Sequence, residues 1–209
     1  MRKTKARQLI VTVAARTGIG WLALKILQSA RATGGPRNEE AEVVRGFSGW
    51  ADDLRNACNG PYAMIGARDS ETLNLLYPAT SNRFLCYKVT RGSTVLGWAV
   101  LLDTQMRDHK HFGNLRVGSI VDCLALPEHA FGVVRAATRV LEARGVDLIG
   151  SNQSHAAWGA ALQNAGFLHG PSNFRFAASR ELSKLLDPLP TTMAHIHLNR
   201  GDGPGPVNL

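Results

Sequence analysis

One carboxylate stands inside an apolar run: Asp122 in Val117-Gly-Ser-Ile-Val-Asp-Cys-Leu-Ala-Leu126. Burial disfavours a charged carboxyl and lifts its pKa toward the range where it can take a proton from an amine, so Asp122 is the first candidate for a catalytic base. Strand residues alternate between faces, which leaves two other readings open for it, a solvent-facing side chain or a partner to an arginine. His155, just after Asn152, is the second candidate base, and the plain alternative for both is a helix-start residue that satisfies free N–H groups. The other histidines include two His-x-His pairs, His109 with His111 and His195 with His197. A lone pair of that kind is a poor metal signal, so no metal site is expected. Cys58, Cys86 and Cys123 form no C-x-x-C pair and read as buried, reduced thiols of a cytoplasmic protein. There is no P-loop and no Ser-His-Asp constellation.

The elements that must position these groups follow from periodicity and punctuation. Phe47–Asn59 reads as a helix, with Trp50, Leu54 and Cys58 along one side and Gly60-Pro61 as its stop. Asp69 or Ser70 caps a short helix that carries Leu73, Leu76 and Tyr77 and ends at Pro78. The period then changes. Phe84–Val89 and Thr94–Leu102 make a hairpin around Arg91-Gly92-Ser93. Leu115–Leu126 is nearly all apolar, as a central strand is. A helix over Glu128–Arg144, a strand over Val146–Ile149 and a helix over Asn152–Asn164 follow. Strands over Phe174–Ala177 and Met193–Leu198 complete the set, with a helix over Arg180–Leu186 between them and a coil tail from Arg200. This order predicts an α/β (α+β) fold with a mixed, mostly antiparallel sheet flanked by helices.

The charge is not spread evenly. The chain has 209 residues and a formal charge of +8, and residues 1–37 hold eight basic side chains and no acid. That leaves residues 38–209 balanced. The two parts are read as a basic helical arm, 1–37, and a domain, 38–209, parted at Thr33-Gly34-Gly35-Pro36. Arg7, Arg16 and Lys25 lie nine residues apart, so they fall on alternate sides of a continuous helix. The arm offers Trp21 as its one aromatic, which makes nucleic acid an unfavoured partner. Peripheral membrane contact through 1–37 remains open. No uncharged apolar run reaches the roughly 20 residues that span a bilayer.

The block from Phe84 to Ala178 resembles the GNAT acyltransferase superfamily. The resemblance is carried by the hairpin, by the strand Ile120–Leu126 that enters a helix at a proline turn, and by Asp147–Ile149 followed by Ser151-Asn152. Its most specific feature is Asn164-Ala165-Gly166-Phe167. Leu73-Asn74-Leu75-Leu76-Tyr77 and Arg200-Gly201-Asp202-Gly203 resemble elements of a subgroup linked to surface polysaccharide and related to the Fem-type peptidyl transferases. Members there often join two GNAT-like halves by a basic helical connector, and this chain corresponds to the connector and the second half.

The resemblance implies acetyl-CoA or another acyl-CoA as cofactor and an amine, possibly an amino sugar, as acceptor. It places the pyrophosphate turn at His129-Ala130-Phe131-Gly132-Val133-Val134. A helix start offers unpaired N–H groups and a positive dipole end to such a ligand. Cofactor contacts are implied for Leu124, Leu126, His129, Gly132 and Asn152, the last holding the pantetheine arm. This sequence departs from the family pattern at His129, at Val134 and at Leu162, where a proton-donating Tyr is common. Two functions follow: an acyl-CoA-dependent N-acyltransferase, or a degenerate, non-catalytic half that pairs with a second GNAT-like domain or with a copy of itself.

Overall fold

Two long apolar strands set the frame, and everything else packs on or beside them. The structure is a computed structural model that describes residues 38–110, 112–170 and 176–203, together with Leu22 and Ile26, which are helical and exposed. The rest of the expected arm, residues 174–175 of the strand expected over 174–177 and the last six residues of the tail lie outside the described residues, and Phe176 and Ala177 are not in a strand. Strands β3 (Leu85–Arg91) and β4 (Thr94–Gln105) form the expected hairpin, with Gly92 at the turn in the left-handed region (φ 57°) that glycine adopts without strain. Strand β5 (Arg116–Ala125) lies antiparallel to β4, and nine of its ten residues are buried. Strand β1 (Glu39–Val43) pairs antiparallel with β3 at one edge, and β6 (Leu148–Ser151) pairs parallel with β5 at the other. The sheet order is β1-β3-β4-β5-β6. The expected mixed, mostly antiparallel sheet flanked by helices is what the chain forms.

The helices divide between the two faces. On the first face lie α1 (Gly49–Ala57) and α2 (Ser70–Leu76), where Phe47 meets Trp98 edge-to-face at 5.3 Å. Asn74 fixes the entry to α1, accepting from the Phe47 N–H at 2.8 Å and donating to its carbonyl at 2.9 Å. Asp69 caps α2 through the Thr72 N–H. On the second face lie α3 (Ala130–Ala143) and α4 (Ala156–Asn164), which pack against each other. A 3-10 turn, Pro127–His129, precedes α3, so the helix begins two residues later than its sequence predicts.

Several elements differ from expectation. Glu39-Glu40-Ala41-Glu42, three acids in four residues, lies in strand β1, an element absent from the predicted set. Glu39 is 5% exposed, and three arginines surround its carboxylate: Arg91 at 3.0 Å, Arg135 in bidentate contact and Arg139 at 3.9 Å. Burial alone would raise its pKa, and Arg135 and Arg91 outweigh that and lower it. The α4 helix starts at Ala156, not Asn152, with His155 as its cap. Past α5 (Arg180–Leu185) and α6 (Leu189–Thr192), the last strand is short. It begins as a 3-10 turn, Met193–His195, and only Ile196–His197 (β7) pairs, in parallel, with β2 (Met64–Ile65). The tail from Arg200 is a 3-10 turn through Asp202, closed by a capping box between Asn199 and Asp202.

Close packing of α3 on the sheet depends on Gly97. A Cβ there would meet the Leu124 carbonyl oxygen, Val133 Cγ2 at 2.7 Å and Ala125 Cβ at 2.9 Å. Two of these are backbone or backbone-fixed atoms that cannot step aside. Gly97→Ala is therefore expected to lower stability by about 1–3 kcal/mol or more, seen as a lower urea midpoint with an unchanged slope.

Candidate functional site

Asp122 faces α2, because it pairs across the sheet with Val100 on the same side as Trp98. Its carboxylate is fully buried and ringed by donors. Arg68 Nε lies 3.0 Å from Oδ2 and 3.1 Å from Oδ1, Tyr77 Oη donates to Oδ2 at 2.7 Å, and Asn199 Nδ2 donates to Oδ1 at 2.7 Å. Arg68 reaches on to Asp202 Oδ1 at 2.7 Å through Nη2. Burial by itself would lower the Arg68 pKa, but Asp122 and Asp202 outweigh it and hold the guanidinium charged. The Tyr77 hydroxyl is pushed up, first by burial and then by the neighbouring Asp122 charge. Of the openings the sequence leaves for Asp122, the structure shows the pairing with an arginine. Three donors occupy its two oxygens, so this geometry makes Asp122 an anchor.

A second constellation forms where β5 and β6 part. The two strands pair at four positions, from Val117↔Leu148 to Ile120↔Ser151. Beyond them β5 runs on without β6, and the carbonyls of Cys123 and Ala125 turn into the fork. Asn199 Nδ2 approaches the Cys123 oxygen at 3.5 Å, and Tyr62 Oη donates to the Ala125 oxygen at 2.6 Å. Tyr62 in turn accepts from Trp158 Nε1 at 2.9 Å. The chain after β6 pairs with the returning carboxy-terminal segment through the bridge Gln153↔Asn199, with the Ser154 N–H on the Leu198 carbonyl at 3.0 Å. Ser154 Oγ adds a bond to the Ile196 carbonyl at 2.6 Å. The fork is thus filled by the protein's own strap, Ile196–Asp202, and by aromatic side chains.

His155 lies in this wall, 5% exposed, with its ring 4.7 Å from Tyr62 and 6.0 Å from His195. Its Nδ1 accepts the Ala157 N–H at 3.1 Å, so the neutral ring carries its proton on Nε2. In that tautomer Nε2 donates and cannot act as a base. Burial, and then His195, depress its pKa and keep it neutral. His197 is 1% exposed between Tyr62 (5.0 Å) and Trp158 (5.5 Å), and burial depresses its pKa to about 4. His155 and Asp122 share no hydrogen bond.

The remaining expected residues scatter. Leu124 is fully buried opposite Trp98, and half-buried Leu126 gives its carbonyl to the His129 N–H at 2.8 Å. The Ala130 N–H is taken by the Pro127 carbonyl. Gly132 is buried on the sheet-facing side of α3, where a Cβ would meet Leu96 at 3.2 Å and Glu39 at 3.4 Å. Its small size serves helix-to-sheet packing. Asn152 borders a separate cavity of about 240 Å³ with Phe112, Ser151 and Arg200. Glu128 adds a negative charge at this helix start. An acyl-coenzyme laid across turn and fork would meet occupied N–H groups, occupied carbonyls and the aliphatic Leu162, so the residues present do not fit it. Cys123, fully buried, has its thiol pKa pushed up by burial, which excludes a ready nucleophile. Tyr62, Arg68, His197, Asn199 and Asp202 are absent from the sequence reading as site residues. The resemblances at Leu73–Tyr77 and Arg200–Gly203 were the signal for part of them, since both segments converge on Asp122.

No protein-family model matches the sequence, and no curated protein does. Solved structures match it at low identity. An aminoglycoside acetyltransferase from an uncultured soil metagenomic sample, in complex with sisomicin, is 11% identical, covering 68% of this chain and 97% of its own, with a TM-score of 0.44. A GNAT family acetyltransferase from Staphylococcus aureus is 10% identical over 68% of this chain and 99% of its own, at 0.42. The wild-type protein TTHA1254 from Thermus thermophilus is 18% identical over 65% and 97%, at 0.42. These values leave the functional reading to the site itself. Among the described residues no helix is long and apolar enough to cross a membrane, and no cluster of side chains suits a metal ion.

Two tests follow. Arg68→Met strands Asp122 and Asp202 without their cation and is expected to cost about 3–5 kcal/mol, with Asp122→Asn in the same chain recovering part of it in a denaturation double-mutant cycle. His197 takes up its proton near 6.5 when unfolded and near 4 when folded. Between those values the unfolded chain holds more protons, so stability is lost as the pH falls, by on the order of 3 kcal/mol at the lower end. Urea midpoints between pH 7 and pH 4 should show this slope, and His197→Phe should flatten it.

Proposed function

We propose that this chain is a GNAT-type domain whose coenzyme fork is closed by its own residues, acting as the non-catalytic half beside a second GNAT-like domain or a copy of itself. One observation carries the reading. The two β5 carbonyls that face the fork, those of Cys123 and Ala125, already accept from Asn199 and Tyr62. A ligand running along β5 would have to break both bonds and displace a strap tied down by the Arg68–Asp202 pair. The sealed start of α3 and the anchored Asp122 point the same way. The GNAT likeness of the residues themselves supplies the family, and the balanced charge of residues 38–209 offers no field for a polyanionic substrate.

A second reading is favoured by a separate observation. His155 Nε2 and both ring nitrogens of His197 are buried at the fork with no protein partner. An acyl-CoA entering the fork would give those nitrogens partners, and the chain would then be an N-acyltransferase acting on an amine, an amino sugar in surface-polysaccharide assembly being the acceptor class the resemblance supplies. His155 Nε2–H would serve it as a hydrogen-bond donor.

Isothermal titration with acetyl-CoA separates the two. The first reading expects no heat and no thermal shift at millimolar coenzyme. Saturable micromolar binding, with acetylation of glucosamine in a coupled thiol assay, would overturn it in favour of the second.

A further inference from the structure

The strap and the chain after β6 form a short antiparallel ladder, and its register sorts the side chains. Gln153 stands opposite Asn199. Continuing that register sets Ser154 opposite Leu198 and His155 opposite His197, so Gln153, His155, His197 and Asn199 share one face. That face is turned to the edge of β5. Asn199 reaches Asp122, Gln153 Nε2 donates to Cys123 Sγ at 3.2 Å, and both histidine rings lean on Tyr62. Asn199 is satisfied. The other three are not: Gln153 Oε1, His155 Nε2 and His197 Nδ1 and Nε2 are buried polar atoms with no protein partner. A buried polar atom left unpaired is destabilising, and four on one face would be a heavy burden for one short ladder.

We propose that this face is a binding site for one small neutral group that both donates and accepts hydrogen bonds, with water or a primary carboxamide as the class of occupant. The donor and acceptor tally fixes the chemistry. His155 presents an N–H at Nε2, because its Nδ1 accepts from Ala157. Neutral His197 presents one N–H and one bare nitrogen, and Gln153 Oε1 accepts. The face thus offers two donors and two acceptors, the complement of one water molecule or one carboxamide. An anion would leave Gln153 Oε1 and the bare nitrogen facing further lone pairs. A metal ion would need His155 Nε2 bare, which the cap on Ala157 forbids. The assignment stands apart from both readings of the reaction, since ring-nitrogen signals and acetyl-CoA binding are read separately.

Imidazole ¹H–¹⁵N correlation spectra of the full chain at pH 7 test it, with acetamide, sodium formate and zinc chloride as probes. The expected result is a His155 ring protonated at Nε2, with its N–H and that of His197 showing exchange or Overhauser contact with water, or shifting on acetamide. Gln153→Leu leaves the aromatic packing in place and should weaken the acetamide response about tenfold, the worth of one lost hydrogen bond. His197→Phe should abolish the response at His155. His155 protonated at Nδ1, ring N–H signals silent to both water and acetamide, or shifts driven by formate or zinc would each overturn the proposal.

Discussion

A charged carboxylate in the middle of the central strand is the constraint around which this fold is arranged. Asp122 has no exposure, and an ion of its size without partners would face a penalty of several kcal/mol. Arg68 supplies the opposite charge, but a guanidinium has more donors than one carboxylate can use. Its remaining edge binds Asp202 and the Ala67 carbonyl, which commits a second acid to the interior. Two acids and one cation leave an excess negative charge. Tyr77, the Asn199 side chain and the Asn199 backbone N–H disperse it by hydrogen bonding. The network therefore ties β5, α2, the loop before α2 and the carboxy-terminal turn to one point. Such clusters are better at specifying an arrangement than at adding stability. Gly66 and Gly201 permit it: a Cβ on Gly201 would lie 2.6 Å from Asp122 Oδ2, and one on Gly66 would run into Asp202 Oδ1.

The fork between β5 and β6 inherits its character from that anchor. Once Asn199 and Asp202 are fixed against Asp122 and Arg68, the segment ahead of them must run beside the chain that leaves β6. Ile196 and His197 are thereby buried, and Tyr62 and Trp158 close over them. A parted pair of parallel strands is a natural ligand cleft, because it exposes backbone carbonyls next to a helix start. Here the same carbonyls are answered from within the chain, and the helix start is tightened into a 3-10 turn. What is left unanswered is a set of ring nitrogens and one amide oxygen, all uncharged at neutral pH, and all on one ladder face.

Much of the frame is legible in the amino-acid order because it is local. The β3–β4 hairpin follows from its turn and its apolar runs, β5 from an uninterrupted apolar stretch, and α2 from its cap and its proline stop. Strand β1 is not legible, since three acids in the four residues Glu39-Glu40-Ala41-Glu42 carry no strand signal. Its assignment depends on Arg91, Arg135 and Arg139, which approach from elements up to a hundred residues away. The site divides in the same way. A lone Asp in an apolar strand is conspicuous, and Asp122 is indeed the centre of a buried cluster. Its partner Arg68 sits in a loop with no periodicity, so nothing local marks it. His155 is visible as a candidate base, but its tautomer is decided by the Ala157 N–H once α4 begins one residue later. Gly132 matches a phosphate-binding pattern by type and spacing, yet the packing of Leu96 and Glu39 decides what its missing side chain is for.

The clasp between Arg68 and Asp202 spans 134 positions of the chain. Contacts of such reach carry a large loop-closure entropy and form late. β5, Arg68 and Tyr77 all precede the closing turn in the chain, so without that turn Asp122 keeps one cation and Tyr77 but lacks Asn199. The segment around Asn199 and Asp202 is therefore what closes the fork: until it docks, the central carboxylate lacks one of its donors and the cleft beside β5 stands open.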